Sequence, residues 1–346
     1  MGWLSRSLIV AAAGLACVAW PCAYLVQNGN IAPASENVVI LWDHVNKRQH
    51  FVRDTVFSTN AKEIAYIIPL PSQPELAEAD PELFNSVERA WGSAQRAWEQ
   101  RGRAEGWVGS EASIPGGIEI LEEKTVAGYD ATVLKAKDPA ALRAWLEKNE
   151  FPLPPAITQW AEPYTKGEFV FVALKLAKGS VATQTAEDVR EGRDDQGPAF
   201  RTGALRMSFA TDQPYYPYRE PVSATPRPPR EWRVMFVSTT GVLPMTQGQN
   251  PLSIRTEGSY LVKDDQAASF ARLAGLPAGA VRTPVVITKL TSSDSTPRPD
   301  KDLTFASTLP DNLERREPWV LLVMGAGIAL LMYVSARFWA KRTRSG

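Results

Sequence analysis

Apolar residues along the chain fall into two kinds of run, and each predicts a different element. Continuous runs bounded by polar turns read as strands buried on both faces. Val38-Val39-Ile40-Leu41-Trp42 is one such run, and Phe169-Val170-Phe171-Val172-Ala173-Leu174 predicts the best central strand. A short polar turn around Asn46-Lys47 joins the first to a strand from His50 to Phe57, which predicts a hairpin. Glu63 to Leu70 supplies a third strand, stopped by Pro69-Leu70-Pro71. Leu205, Met207 and Phe209 alternate with Arg206 and Ser208, the signature of a half-buried strand. Further strands are predicted at Gly117 to Glu122, Tyr129 to Lys135, Trp232 to Ser238 and Pro284 to Leu290.

Helical periodicity appears between the strands. Asp80-Pro81 is a helix start, a capping side chain followed by proline at the first turn, and Phe84, Val87, Trp91, Ala94 and Trp98 then recur at 3,4,3,4 spacing. Asp138-Pro139 repeats that start ahead of Leu142, Trp145 and Leu146, and Pro154-Pro155 opens a helix carrying Ile157, Trp160, Ala161 and Tyr164. Tryptophans at this spacing read as core packing rather than a stacking surface. Strands come in clusters separated by helices without strict alternation. The pattern therefore predicts an α+β fold with a mixed or mainly antiparallel sheet, several packed helices and one C-terminal transmembrane helix.

The two ends differ from the middle. Arg6 precedes an apolar run from Leu8 to Val26, with no charge until Glu36, which reads as an export signal cleaved after Ala19 or Ala23, or as an uncleaved signal anchor. Pro318 to Ala336 carries no charge, and Arg337, Lys341, Arg342 and Arg344 follow it. The expected order is an export segment over 1–26, an extracytoplasmic domain over 27–290 and a Pro/Ser/Thr-rich linker over 291–317. A transmembrane helix over 318–338 and a basic cytoplasmic tail over 339–346 complete it. The expected location is the bacterial cytoplasmic membrane, with the lipid bilayer as a partner through the C-terminal helix.

Charge and composition narrow the chemistry. With 38 basic and 38 acidic residues interspersed, the chain carries no electrostatic footprint for nucleic acid. Both cysteines, Cys17 and Cys22, lie in the N-terminal apolar run, so the domain offers no thiolate metal site or cysteine nucleophile. The two histidines, His44 and His50, flank one turn, and its length decides whether they share a sheet face. No third ligand is indicated and no metal or cofactor is expected. No serine sits in a Gly-x-Ser-x-Gly elbow and no phosphate loop is present. A carboxylate pair is defined by spatial separation, which sequence does not show, so a hydrolase stands as the alternative. The Pro214-Tyr215-Tyr216-Pro217-Tyr218 cluster is the candidate recognition surface, because proline fixes the backbone and Tyr215, Tyr216 and Tyr218 offer large contacts at low entropy cost.

Several ordered blocks resemble one family. They are Asn37 to Asp43, Gln49-His50-Phe51, Ile67 to Leu76, Phe169 to Leu176, and Met207 to Asp212 continuing through Pro214 to Pro221. Together, over roughly residues 37 to 240, they resemble the bacterial DUF2330 family of uncharacterised exported proteins. The resemblance implies an exported bacterial domain and supplies no catalytic residues. The function expected is a binding or scaffolding module of the cell envelope, its ligand or protein partner open.

Overall fold

The computed structural model describes residues 23–27, 31–59, 63–100, 120–151, 156–176, 199–221, 231–249, 251, 254–292 and 300–313. Strands and helices are numbered along the chain. The first sheet has the spatial order β1 (Ala23–Gln27), β4 (Glu63–Leu70), β8 (Val170–Leu176), β7 (Tyr129–Lys135) and β6 (Ile120–Val126), every neighbour antiparallel. The second runs β14 (Ile254–Val262), β15 (Val285–Ser292), β12 (Glu231–Ser238), β2 (Ile31–Asp43), β3 (Arg48–Thr59), β10 (Leu205–Ala210) and β5 (Glu75–Glu78). The short β9 (Ala199–Arg201) also pairs with β3. Among the described residues the second sheet has one parallel pairing, β2 with β12. A third, small sheet places β16 (Leu303–Thr308) between β11 (Tyr215–Tyr216) and β13 (Gly241–Met245).

The doubly apolar run of β2 explains how these pieces stack. Side chains alternate across a strand, so Val38 and Ile40 enter one core while Val39 and Leu41 enter another. The first core lies between the two large sheets, where Phe51, Met207, Phe209, Val234 and Phe236 meet Tyr66, Ile68, Val133, Val172 and Leu174. Helices α1 (Glu82–Glu99) and α4 (Gln266–Leu273) cover the other face of the second sheet through Leu83, Val87, Trp91 and Phe270. Helices α2 (Pro139–Lys148) and α3 (Ile157–Lys166) cover the outer face of the first through Leu142, Leu146, Ile157 and Trp160. The result is four layers: two helices, a sheet, a second sheet, two helices.

Local chemistry sets the helix ends. Asp138 caps α2 by accepting from the Ala141 N–H at 2.7 Å. Asp80 accepts from the Glu82 N–H at 2.9 Å at the start of α1. The end of α4 turns through Gly275 at φ +64°, a left-handed conformation that glycine tolerates, and the Leu276 N–H reaches back to the Ala271 carbonyl at 2.8 Å. Trp145 is half-buried on α2, its ring 5.5 Å from that of Phe151.

One expectation is corrected, and two expected boundaries fall at folded elements. The fold is dominated by sheet, with helices as outer layers, and among the described residues no helix is long and apolar enough to cross a membrane. The longest of these, α1, is amphipathic: Leu83, Val87 and Trp91 are buried while Glu82, Arg89 and Glu99 are exposed. The spans expected over 318–338 and 339–346 lie outside the described residues. The boundary at 26/27 falls inside β1, whose five residues all pair with β4. The linker expected over 291–317 is partly folded: β15 runs to Ser292, and β16 buries Leu303 and Phe305. Its Pro/Ser/Thr content hid a short strand whose alternate side chains point inward.

The fold of that segment is testable by one substitution. Leu303 is fully buried, so Leu303→Ala should cost about 2–5 kcal/mol in urea denaturation. A flexible linker would show a change within about 0.5 kcal/mol.

Candidate functional site

The outer face of the second sheet is apolar in its middle and polar at both ends, and the ends are the places where chemistry collects. At one end, three neighbouring strands each contribute one residue to a row. Asp54 on β3 is in register with Asn37 on β2, and Asn37 is in register with Arg233 on β12. All three face the α1 side. Alternation forces this, since their neighbours Val38, Arg53 and Val234 turn toward the inter-sheet core.

The first two turns of α1 roof this row. Between helix and sheet lies a groove of about 270 Å³, lined by Asn37, Asp54, Glu82, Asn85, Glu88 and Arg233 with Phe84 and Met235. Asp54 is only 4 % exposed and accepts from Asn37 Nδ2 at 3.0 Å. On the wall, Glu88 is held by Lys289 at 2.6 Å, and the Lys289 ammonium sits 4.7 Å over the Trp91 ring. Among the described residues Arg233 therefore has only a distant carboxylate, Glu88 Oε2 at 4.0 Å, and its side chain is 43 % exposed. Hydrogen bonds from Arg89 and Asn85 keep the Glu82 carboxyl below its ordinary range, so it is ionised.

At the other end lies a second polar cluster, enclosed rather than open. His50 is buried, with Nδ1 2.8 Å from Ser208 Oγ across the β3–β10 pair. Burial first, and then the guanidinium groups of Arg206 and Arg48, pull its pKa down to about 4. Arg206 donates to the carbonyls of Ala274 and Gly275 at the end of α4 and pairs with Glu75. Asp43 is held by both nitrogens of Arg282 at 3.0 and 2.9 Å. Burial pushes the Asp43 carboxyl up, but the bonds from Arg282 and Asn46 outweigh it and bring its pKa to about 2.

The tyrosines expected to be exposed are interior. Tyr215 is 6 %, Tyr216 1 % and Tyr218 2 % exposed. Tyr216 donates to Glu36 Oε1 at 3.1 Å and accepts from Trp232 Nε1 at 2.6 Å. Tyr218 packs 5.5 Å from the Trp232 ring. Tyr215 is clasped through its backbone by Gln49, and its hydroxyl donates to Asp302 Oδ2 at 2.9 Å. Tyr164 and the Arg219 N–H donate to the other oxygen of Asp302. Burial raises the Asp302 carboxyl above its ordinary pKa, against the lowering effect of those donors. The cluster fastens the small third sheet to the body, with all three rings in the interior. The histidines also separate: His44 is exposed in the 44–47 turn beside Thr239, while His50 is buried in β3.

The family described as "Uncharacterized protein conserved in bacteria (DUF2330)" matches residues 15–241. The chain belongs to the DUF2330 family. The matched stretch contains every groove residue named above and ends at the start of β13, so β14 to β16 and α4 lie beyond the DUF2330 match. No curated protein matches the chain. Among solved structures, the crystal structure of baculovirus P35 is similar at 9% identity and a TM-score of 0.38, over 84% of this chain and 99% of that one. A mutated baculovirus P35 after caspase cleavage is similar at 8% identity and 0.33, over 79% and 99%. Likeness at these TM-scores carries no argument about this DUF2330 chain.

Sequence reasoning missed the groove because its floor residues come from three strands far apart in the chain. The one available signal was a buried-strand pattern interrupted by Asp54 and Arg233 at positions facing a helix.

The enclosed cluster predicts acid sensitivity. His50 titrates near 4 folded and near 6.5 unfolded, so between those values the unfolded chain binds the extra proton. Stability is then full above about pH 6.5 and falls toward pH 4 by about 3 kcal/mol in all. Asp43, depressed in the fold, adds a loss at lower pH, through its folded pKa of about 2. His50→Gln removes the His50 contribution and leaves every other titrating group in place, so comparing the two proteins isolates it. Urea denaturation at pH 7.5 and pH 5 should differ in the wild type and differ much less in His50→Gln. Equal wild-type stability at the two values would contradict the assignment.

Proposed function

We propose that this protein is a binding module of the bacterial cell envelope that takes a small ligand bearing a cationic group in the groove between α1 and the second sheet. The observation that carries the reading is the buried carboxylate of Asp54 at the floor of an open groove. Asn37 orients this carboxylate by donating to Oδ1 at 3.0 Å. An amine or guanidinium entering beside it gains charge-assisted hydrogen bonds away from bulk water. At about 270 Å³ the groove falls just under the range of drug-sized pockets, which suits a metabolite rather than a folded partner.

Catalysis by a carboxylate pair is the weaker reading. A general acid needs a raised pKa, and Glu82 on the groove wall is lowered. The raised carboxyl, Asp302, is surrounded by Tyr164, Tyr215 and the Arg219 N–H, all of them donors. An extracytoplasmic setting is supported by the sequence, Arg6 followed by the uncharged run from Leu8 to Val26. Of the two processing points, Ala19 leaves β1 whole, whereas Ala23 begins the mature chain inside it.

The test is a thermal-shift and calorimetric panel with agmatine, spermidine and succinate. The cations should raise the melting temperature in proportion to their concentration over Kd, and succinate alone should not. Asp54→Asn keeps the shape and the Asn37 contact but removes the charge, and should abolish the response. Cation binding that survives Asp54→Asn, or none in the wild type, would overturn the reading.

A further inference from the structure

Among the described residues β14 is a terminal strand of the second sheet. A terminal strand presents backbone donors and acceptors to any extended chain that reaches it. Here the middle of that edge is already occupied. The Asp311 N–H donates to the Ser259 carbonyl at 2.6 Å, and the Ser259 N–H donates to Asp311 Oδ2 at 2.8 Å. Both Ser259 groups therefore point away from β15, as they do in the non-hydrogen-bonded type of antiparallel pair, where facing side chains approach most closely. The contact of 2.7 Å between Ser259 Oγ and Thr288 Oγ1, across that pair, agrees. One residue earlier the strand bulges at Gly258, φ +141°, and the Gly258 carbonyl accepts from Trp91 Nε1 at 3.0 Å. Asp311, with one backbone donor and one side-chain acceptor, thus does for β14 what a neighbouring strand would do.

We propose that residues 309–311 are a latch over the β14 edge, and that its release lets a second copy of this chain pair with the first through the same edge. The proposal is independent of the groove. The chain leaves β16 at Thr308 and reaches Asp311 three residues later, where the compact unit ends. Leu309 on the way is 65 % exposed, so its side chain adds little burial, and the two bonds of Asp311 carry the contact with β14. Without the carboxylate, the N–H of Ser259, a residue only 4 % exposed, loses its acceptor. A partner strand restores one. The partner is a second copy because two β14 edges related by a two-fold axis run antiparallel and present the same groups to each other. Arg255 and Glu257, an ion pair at 3.3 Å within the strand, supply both charges that such a self-pairing sets against each other.

Sedimentation velocity on the full chain tests the latch. Asp311→Ala should self-associate about tenfold or more tightly than the wild type, the gain expected when a stranded donor finds an acceptor. Asp311→Asn keeps a side-chain oxygen to accept from Ser259 and should behave as the wild type. A peptide of residues 254–262 in excess should return Asp311→Ala to monomer by occupying its edge and should not bind the wild type. Asp311→Ala no more associated than the wild type, or association that the peptide leaves intact, would overturn the proposal. Peptide binding without self-association would overturn the choice of a second copy. Hydrogen exchange on the wild type gives a check that needs no variant: the Ser259 amide should be protected, and exchange at the rate of an unstructured peptide would overturn the latch.

Discussion

The structure depends on one buried ion pair. Glu36 and Arg53 face each other at 3.2 Å between the two large sheets, their side chains essentially inaccessible. Desolvating two charges costs several kcal/mol each, and removing one partner of such a pair typically costs 3–5 kcal/mol because the other is stranded. The fold surrounds the pair with compensating groups. Tyr216 donates to Glu36, Trp232 steadies Tyr216, Arg53 donates to Thr55 Oγ1 at 3.2 Å, and the guanidinium lies 4.8 Å over the Tyr66 ring. These partners come from β2, β3, β4, β11 and β12, so a single electrostatic requirement ties both large sheets and the small one together. It also fixes register, since a one-residue slip of β2 against β3 would turn Glu36 toward the helices and leave Arg53 without its counter-charge.

The same requirement explains why the tyrosine cluster was misread from sequence. Proline and tyrosine in alternation look like an exposed binding loop when only local composition is considered. Here Tyr216 is bound by Glu36, 180 residues upstream, and Tyr215 by Asp302, 87 residues downstream. Local pattern did better where the determinants are local. The alternation of Tyr129 to Lys135 and the bounded run of Glu63 to Leu70 each became a strand with those limits, and the Asp138 cap formed as its spacing implies. Strand existence was legible in β2, but its neighbour was not: the parallel partner β12 begins nearly two hundred residues later. Groove and ion pair share that opacity, because both are built across strands rather than along one.

The second sheet uses its two faces differently, and this division gives the molecule its candidate site. The inner face is closed by the first sheet and can hold a charge only by neutralising it internally, as Glu36 and Arg53 do. The outer face is covered by two helices that reach over its middle, so the strand ends stay available for polar residues. At one end α4 closes down, because Arg206 binds its terminal carbonyls and Asp43 holds Arg282 in the segment that follows. At the other, α1 stands over Asp54, Asn37 and Arg233 and leaves a groove.

The closed end and the open end are joined by a short path of hydrogen bonds. The Ala79 N–H donates to the Ala204 carbonyl and the Asp80 N–H to the Leu273 carbonyl, at 2.9 and 2.8 Å. Residues 79 and 80 thus hang from β10's leading edge and from the last turn of α4, and Asp80 in turn caps the start of α1. The position of the groove's roof is therefore set by the same helix end that Arg206 grips. Packed elements of this kind transmit displacement because they are nearly incompressible. The backbone segment between those two ends also carries Glu82, Asn85 and Glu88 over the groove floor. The enclosed cluster and the candidate site are thus linked through one stretch of backbone, even though they share no side chain.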